Sequence, residues 1–210
     1  MAVGATNKRV KTLSISRPII WGNTAKPFGE VRPAGAPDEH THTWTVFVRG
    51  PNGEDLSYFI KKVVFKLHET YPNSTRSIET PPFEVTETGW GEFEIGIKIF
   101  FIPESTDKNI SMYHHLRLHP YGHPQGTEIT EEMRNVESIQ YDEIVFNEPT
   151  EELLQIMTKK PGNIIAKTKK ESKFSKETEN EELARLDHGL KKVNLEIEKL
   201  KKKVQSATSA

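Results

Sequence analysis

The clearest hydrophobic pattern in the chain follows a glycine-rich turn. Every second position from 93 to 101 is apolar, and the positions between them are mostly charged or glycine. This period of two is typical of a strand with one buried face. The apolar positions are Phe93, Ile95, Ile97, Ile99 and Phe101. Phe83 and Val85 alternate in the same way ahead of residues 88–91, so the pattern predicts two partner strands joined by that turn.

Other short alternating runs, separated by glycine and proline, predict further strands in the first 150 residues. We expect them at 9–21 with a break at Pro18, and at 44–48, 58–68, 110–118 and 138–146. Residues 22–39 and 71–82 are predicted to be loops. About seven short strands without a helical pattern predict an all-β fold, an antiparallel two-sheet sandwich of the immunoglobulin type spanning 9–149.

The pattern becomes helical after residue 150. Thr150 and two glutamates predict a capped amphipathic helix over 150–160 that ends at a Pro-Gly pair. Residues 161–178 are rich in lysine and hydroxyl residues, which predicts a flexible linker.

Residues 179–205 carry apolar side chains at alternating steps of three and four, which predicts a coiled-coil seam over three heptads. Gly189 weakens this helix by about 1 kcal/mol. A stripe this narrow requires a partner helix, and both self-pairing and pairing with another protein remain open. The seam positions are Leu183, Leu186, Leu190, Val193, Ile197, Leu200 and Val204.

Composition limits the class of protein. The 210 residues include no cysteine and no apolar run near the roughly 20 residues that span a bilayer, so we expect a soluble chain without disulfides or thiolate metal sites. The net charge of -1 conceals an acidic middle and two basic ends, including a basic N-terminus, 1–8, that we expect to be disordered. An acidic middle domain suits a cationic partner. The lysine-rich face of the predicted coil is more typical of a solvated surface than of a nucleic-acid-binding one.

The eight histidines raise the question of a metal site. Their spacings match no standard zinc motif, and neighbours such as His114 and His115 point to opposite faces of a strand. Packing and hydrogen bonding at strand ends are favoured instead, and HPYGHP at 119–124 is predicted to be a structural turn. No nucleophile-elbow, phosphate-loop or dinucleotide motif is present. We therefore expect no metal, no cofactor and no enzymatic activity.

Four short motifs, in the order HTHTW at 40–44, VFVRGP at 46–51, LHETYP at 67–72 and TGWGEF at 88–93, closely resemble the YEATS domain family. The resemblance covers roughly residues 9–149. Within the family, the Trp-Gly-Glu-Phe loop and the C-terminal coil are most similar to the fungal subunit shared by histone-variant-exchange remodelling and histone acetyltransferase complexes, and to its glioma-amplified-sequence counterpart in animals. The resemblance implies an immunoglobulin-like sandwich that reads acylated lysine on histone tails without catalysis.

The resemblance also assigns an acyl-lysine-binding site. Tyr71 and Trp90 would sandwich the acyl amide, Phe93 would support the floor and His68 the wall. His40 stands where some relatives have an aromatic residue. Thr70, where many relatives have serine, would bond the amide through its hydroxyl, and the backbone N–H of Trp90 or Gly91 would donate to the acyl carbonyl. The implied site residues are His40, His68, Thr70, Tyr71, Gly89, Trp90, Gly91 and Phe93.

The chemistry of such a cage favours an acylated lysine over a free one. Two ring faces can stack on a planar amide while a hydroxyl and an N–H satisfy its polar atoms. A free ammonium would lose its water shell with no carboxylate to pair it, although cation–π attraction partly offsets that loss.

The function implied is that of a nuclear histone reader. It would bind acetyl-lysine, and crotonyl-lysine if the cage is open at its far end, with the histone H3 tail favoured. The chain would be a non-catalytic subunit in transcription regulation and DNA repair. The alternative is a scaffold subunit that docks through the sandwich surface and the coil, with a silent pocket and weak, sequence-independent DNA contact from its basic ends.

Overall fold

The computed structural model describes residues 8–30, 32–120, 134–160, 162 and 165–208. Most of the predicted disordered N-terminus and of the predicted turn at 119–124 therefore lies outside the described residues. The chain divides into two compact units, residues 1–163 and residues 164–210.

The first unit contains two four-stranded antiparallel sheets that form an immunoglobulin-like sandwich. The strands are β1 (Ser14–Pro27), β2 (His42–Arg49), β3 (Ile60–Lys66), β4 (Thr75–Ile78), β5 (Phe83–Gly89), β6 (Glu94–Phe101), β7 (Asn109–His115) and β8 (Val136–Asn147). One sheet has the order β5-β2-β1-β8 and the other has the order β4-β3-β6-β7. The predicted sandwich is therefore confirmed.

One hydrophobic core lies between the sheets and follows the alternation in the sequence. In β6, Ile95, Ile97 and Ile99 are at most 1% exposed, and Phe101 is also buried. Trp44, Val46 and Val48 of β2 face them and are at most 1% exposed. Burial of each of these side chains is worth about 1.5–3 kcal/mol relative to exposure, which fixes the registers of both sheets.

The predicted pairing of β5 with β6 is wrong. β5 pairs with β2 in one sheet, whereas β6 pairs with β3 and β7 in the other. The alternation could not distinguish the two arrangements because both sheets bury their apolar parity in the same core. Residues 90–93 therefore cross from one sheet to the other.

The opening strand starts and ends later than the predicted range 9–21, at Ser14 and Pro27, and is not broken at proline. β1 continues to Pro27 through residues that were predicted to be loop. Its ladder with β2 begins at Ile20, so at Pro18 the strand has only β8 beside it. The missing N–H of Pro18 consequently disturbs at most one ladder, as at a sheet edge. The predicted loop at 71–82 likewise contains the short edge strand β4.

The predicted helix after the sandwich is present as α1 (Glu151–Lys159). The Thr150 hydroxyl caps it by accepting from the N–H of Leu153, at 3.0 Å. Leu153 and Met157 are fully buried. At the other end, the guanidinium of buried Arg17 donates to the carbonyls of Met157 and Lys160. This contact satisfies helix-end carbonyls and holds α1 against the sandwich.

The second unit is dominated by α2 (Lys176–Thr208). It starts inside the predicted linker, where the Ser175 hydroxyl accepts from the N–H of Thr178 at 3.2 Å and caps the helix. A bridge between Ala166 and Ser175 closes a turn just ahead of it. The predicted seam lies along α2 with its apolar side chains exposed, and the coiled coil itself stays a prediction. None of the helices among the described residues is long and apolar enough to cross a membrane.

A buried polar cluster joins the two sheets at one edge. Asn23 of β1 accepts at Oδ1 from the Arg117 N–H, at 3.0 Å, and lies 2.7 Å from His114 Nε2. Because Oδ1 is an acceptor, Nε2 carries the proton of a neutral His114 ring. Nδ1 has no hydrogen-bond partner among the described residues. His114 is thus buried and hydrogen-bonded, whereas His115 on the opposite face is exposed.

We predict that His114 makes the first unit less stable in acid. Burial, assisted by His115 and Arg117, lowers the pKa of His114 to about 4 from 6.5. The unfolded chain therefore binds more protons between pH 6.5 and 4, so stability is complete above pH 6.5 and falls as the pH drops. The loss should reach about 2 kcal/mol at pH 5.

Urea unfolding at pH 7.5 and pH 5 measures this effect. His114→Gln should be less stable at pH 7.5 but should lose less stability between the two pH values. His115→Gln, on the exposed face, is the matched control and should keep most of the wild-type dependence, because burial lowers the pKa of His114 more than His115 does. An unchanged pH dependence in His114→Gln would contradict the assignment.

Candidate functional site

A cavity of about 550 Å³ lies where the crossing loop meets the ends of the strands. All eight residues assigned from the sequence line it, although they come from three separate stretches of the chain. The lining also includes four residues that the family resemblance does not assign. The complete lining is Pro37, Glu39, His40, His68, Thr70, Tyr71, Pro72, Gly89, Trp90, Gly91, Glu92 and Phe93.

Aromatic rings form the inner wall of the cavity. The Tyr71 and Phe93 ring centroids are 5.6 Å apart, and each ring packs on Trp44 at 5.7 and 5.9 Å. His68 lies 5.9 Å from Phe93. Trp44 is 1% exposed, so it belongs to the core and supports the rings that line the cavity. Edge-to-face packing of this kind fixes ring orientation as well as burying area.

Trp90 differs from the other aromatic residues because its side chain projects into solvent. It is 64% exposed and makes no ring contact within the described part of the chain. The structure places Trp90 and Tyr71 on the same cavity, but only Tyr71 is held by neighbouring rings. Trp90 therefore has an open ring face available for a ligand, and a ligand bound there would disturb few contacts of the core.

Thr88, at the end of β5, holds two residues of the cavity. Its carbonyl accepts from the Tyr71 hydroxyl at 3.0 Å, and its own hydroxyl lies 2.8 Å from His40 Nδ1. Burial of the Tyr71 phenol raises its pKa, so Tyr71 stays a neutral donor at physiological pH. One residue outside the cavity lining thus sets the positions of two side chains within it.

The hydroxyl of Thr70 is already engaged in a local contact. It lies 2.9 Å from His68 Nδ1, and both residues are exposed. A hydroxyl donates once and accepts twice, so this contact leaves hydrogen-bonding capacity for a ligand. It also orients the Thr70 side chain toward the imidazole that forms the wall.

Glu92 anchors the far side of the crossing loop. Its carboxylate accepts from the N–H groups of Leu118 and His119, at 2.8 and 3.2 Å, and from Arg117 Nη1 at 3.1 Å. Burial alone would raise the pKa of Glu92, but these donors outweigh it and hold the pKa below the usual value. Glu92 therefore remains charged and tied to the segment that follows β7.

The near side of the loop is held by close packing at Gly89. Its carbonyl accepts from the Thr41 N–H at 3.0 Å. A Cβ at this position would overlap the Tyr71 hydroxyl and would lie 3.1 Å from the Trp44 indole nitrogen. At Gly91, by contrast, a Cβ would meet nothing within 4 Å. Glycine is thus required at position 89 by the proximity of Tyr71.

The four unassigned lining residues differ in how well the sequence could have indicated them. Glu92 and Pro72 lie inside the motifs that suggested the site, so the motifs could have identified them. Pro37 and Glu39 lie in a stretch without periodicity. Among the described residues, no group of three or more His, Cys, Asp or Glu side chains is arranged to hold a metal ion.

Comparison with known proteins identifies the family. Residues 39–120 match the YEATS family model. The chain is 54% identical to the AF-9 homolog of Saccharomyces cerevisiae, an alignment that covers 95% of this chain and 93% of that protein. It is 48% identical to the AF-9 homolog of Schizosaccharomyces pombe, with 96% and 94% covered. The chain therefore belongs to the YEATS family.

Solved structures agree with this assignment. The crystal structure of the Yaf9 YEATS domain bound to H3K27ac is 60% identical, with a TM-score of 0.64, and the match covers 72% of this chain and 99% of that one. The Yaf9 YEATS domain recognizing an H3K122suc peptide is 58% identical, with a TM-score of 0.61 and the same coverage.

We predict opposite outcomes for two alanine substitutions in the loop. Gly89→Ala should cost about 1–3 kcal/mol of unfolding free energy, because Tyr71 must move to admit the methyl group. Gly91→Ala, two residues away in open space, should stay within about 0.5 kcal/mol of wild type. Chemical denaturation measures both changes. Equal losses would argue against the tight contact between Gly89 and Tyr71.

We also predict that Thr88→Val releases the His40 ring. The substitution removes the hydroxyl beside Nδ1 but keeps the shape of the side chain, so the ring nitrogens of His40 should lose their fixed hydrogen bond. Side-chain nitrogen NMR of His40 reports this change. Thr86→Val is the matched control on the same strand, because the Thr86 hydroxyl pairs with Thr45 at 2.8 Å and not with the cavity. An identical His40 spectrum in Thr88→Val would refute the role of Thr88.

Proposed function

We propose that this protein is a histone acyl-lysine reader. The observation that carries the proposal is the single cavity lined by Tyr71, Trp90 and Phe93, with His40 and Thr70 beside them. The likeness to Yaf9 domains described as bound to H3K27ac and recognizing H3K122suc supports it. In this proposal the eight lining residues implied by the family resemblance are the acyl-lysine site.

The geometry suits a neutral, planar amide. Tyr71 is fixed by packing and by its bond to Thr88, whereas exposed Trp90 offers the second face, so an acyl group can enter between them. The Thr70 hydroxyl and the N–H of Trp90 or Gly91 supply the polar contacts. Gly91 permits close approach because nothing lies within 4 Å of its Cβ direction. Stacking and hydrogen bonding together favour the acylated side chain.

The expectation of a cavity without carboxylates needs correction, because Glu39 and Glu92 both line it. The Glu92 carboxylate is engaged by Arg117 and two backbone donors, and Glu39 is exposed, where water screens its charge. These charges attract basic histone tails in general. We therefore expect unmodified peptides to bind weakly and the acyl group to add the selective part of the affinity.

The cavity volume bears on the choice of acyl group. About 550 Å³ exceeds what an acetyl group requires, which supports the proposal that longer flat groups such as crotonyl also enter. We propose acetyl-lysine as the basic ligand and crotonyl-lysine as a second one, on core-histone tails with the H3 tail favoured. No cofactor and no catalytic step is part of this proposal.

The cellular setting is proposed on the same family likeness. The chain would act in the nucleus as a non-catalytic subunit of remodelling and acetyltransferase complexes, in transcription regulation and DNA repair. α2 would connect it to other subunits or to a second copy, and the first unit would present the reader cavity. Both tasks are compatible because they use separate parts of the chain.

A scaffold role with a silent cavity is the second candidate, favoured by the exposed apolar seam of α2. Weak DNA contact through the lysines of α2 belongs to the same candidate. Several of them are already paired within the helix, as Lys191 is with Asp187 at 2.6 Å and Lys201 with Glu198 at 3.2 Å. Such pairs are weak and can open for phosphate, so any DNA affinity should decline steeply with salt.

We predict that Trp90→Ala removes the preference for acylated peptides. Loss of one stacking face should reduce affinity for an acetylated H3-tail peptide about tenfold or more and leave the unmodified peptide nearly unchanged. Because Trp90 is 64% exposed, protein stability should change by less than about 0.5 kcal/mol.

Calorimetric titration with acetylated, crotonylated and unmodified peptides measures the effect. Tyr113→Ala is the matched control, since Tyr113 is an aromatic residue of β7 that is 68% exposed and lies outside the cavity lining. If the wild-type protein bound modified and unmodified peptides with equal affinity, the reader hypothesis would be contradicted. The scaffold role would remain compatible with that result.

A further inference from the structure

The outer face of the sheet β4-β3-β6-β7 carries basic and aromatic side chains that the proposed reader function does not use. The apolar residues of β3 and β6 point into the core, so the alternate residues of these strands and of β7 point to solvent. Strand pairing places these outward side chains next to one another. This basic face consists of Lys62, Lys66, Gly96, Lys98, Phe100 and Tyr113.

Basic charge is concentrated on this face although the surrounding chain is acidic. Residues 38–104 contain eleven acidic and six basic side chains, and three of the six are the lysines of the basic face. One carboxylate, Glu94, stands at the end of the same side of β6, and Glu79 at the margin lies 3.9 Å from Lys62 Nζ. The other two lysines are exposed and make no ion pair with the described residues. The face therefore presents local positive charge, which attracts anions.

Phe100 positions two of the lysines. Lys62 lies opposite Phe100 on the neighbouring strand, and Lys98 is two residues earlier on the same strand. Their Nζ atoms lie 5.2 and 5.3 Å from the centroid of the Phe100 ring, within the range of cation–π attraction. Each ammonium has three N–H donors, so contact with the ring leaves donors for an anion. Two cations are thus held beside one aromatic ring.

Tyr113 gives the basic face an open ring. Its side chain is 68% exposed and packs on no other aromatic ring among the described residues. Its neighbour across the ladder is Gly96. A Cβ on Gly96 would lie 4.0 Å from Tyr113 Cε1 and 3.5 Å from the Cβ of Lys66. The missing side chain therefore leaves a shallow gap between the tyrosine ring and the third lysine.

The open ring and the neighbouring cations together select the kind of partner. A single-stranded nucleic acid has unpaired bases that stack on aromatic rings and phosphates that lysines contact. Sheets with exposed aromatic residues bind single-stranded RNA in this way. A duplex presents only the edges of its bases in the grooves, so it could not use the ring of Tyr113. An acidic peptide would pair with the lysines but would leave the ring empty.

We propose that the basic face is a binding site for single-stranded nucleic acid. One base stacks on Tyr113, and the phosphates on either side of it contact Lys66, Lys98 and Lys62. RNA and single-stranded DNA share this chemistry. The site lies outside the reader cavity, and it does not depend on what the cavity binds.

Fluorescence anisotropy of the full-length protein tests the choice of partner. The labelled probes are oligouridine and oligothymidine of about 12 nucleotides and a DNA duplex of the same length. Both single strands should bind more tightly than the duplex, and the tighter of the two identifies the source of the strand. Equal or tighter binding of the duplex would overturn the proposal. So would displacement of oligouridine by polyglutamate as effectively as by unlabelled oligouridine, which would indicate an acidic peptide instead.

Two substitutions of Tyr113 separate stacking from general apolar contact. Tyr113→Leu should weaken single-strand binding about tenfold, because the ring is lost. Tyr113→Phe keeps the ring and should keep the affinity. Both variants should bind an acetylated H3-tail peptide as the wild type does, which shows that the first unit is folded. Unchanged single-strand affinity in Tyr113→Leu would contradict the stacking contact.

The salt dependence of binding tests the lysines. Each phosphate contact with a single strand contributes about 0.7 to the slope of log affinity against log salt, so Lys66→Ala with Lys98→Ala should reduce the slope by about 1.4. Lys26→Ala is the matched control, because Lys26 is an exposed lysine on β1 of the other sheet. Its slope should equal that of the wild type. Equal slopes in the double variant and the control would show that the basic face does not bind the phosphates.

Cross-linking locates the strand on the full-length protein, whose α2 also carries many lysines. Oligouridine with one 4-thiouridine is cross-linked by ultraviolet light, and the modified tryptic peptide is identified by mass spectrometry. The proposal expects modification of the peptide 109–117, which contains Tyr113. Cross-links confined to α2 would overturn it.

Discussion

The contact between Tyr71 and the backbone around Gly89 is the constraint on which the cavity depends. Tyr71 donates to the Thr88 carbonyl at 3.0 Å, and its hydroxyl occupies the space that a side chain at position 89 would need. This contact joins the loop before β4 to the end of β5. With Glu92 held on the other side by Leu118, His119 and Arg117, the crossing segment is fixed at both ends.

Only Trp90, between these anchors, remains largely exposed. A rigid loop that presents one exposed ring can bind a flat group without ordering itself first, so less affinity is lost to conformational entropy.

The end of β7 explains why polar side chains lie near the crossing loop. Residues just beyond a strand end leave backbone donors outside the ladders, and these donors need acceptors. Glu92 accepts from the N–H groups of Leu118 and His119, and Asn23 accepts from the N–H of Arg117. His114 completes the Asn23 cluster as a neutral ring. The edge of the sandwich beside the cavity is thus held by hydrogen bonds as well as by apolar packing. The hydrogen bonds fix the positions of these side chains, and we expect protonation of His114 in acid to destabilise this edge.

The second unit follows a different physical rule. α2 has a capped start and many exposed ion pairs but no apolar contact surface of its own that could bury the seam. Helix propensity and surface ion pairs contribute only tenths of a kcal/mol each to its stability, whereas most helical stability in proteins comes from packing of an apolar face. The cavity and the exposed seam of α2 lie on separate units, so a change in one surface need not alter the other.

The sequence by itself determined most of the strands, the buried parity of β2 and β6, the capped helix α1 and the family. These follow from local periodicity, from a Thr-Glu-Glu start and from four motifs, all of which a linear chain displays. Its motifs also named eight residues that the fold brings around one cavity.

Tertiary structure alone decided that β5 and β6 belong to different sheets, because two facing sheets bury the same parity and the alternation is identical in either arrangement. It also decided that β1 runs through Pro18, since the cost of a proline depends on which neighbours the strand has at that point. The tertiary structure also brings Glu39 to the cavity and lets Thr88 hold two of the cavity's side chains. Gly89 must lack a side chain because it packs against Tyr71, which lies 18 residues earlier in the chain. Such contacts join residues distant in sequence, and no local pattern encodes them.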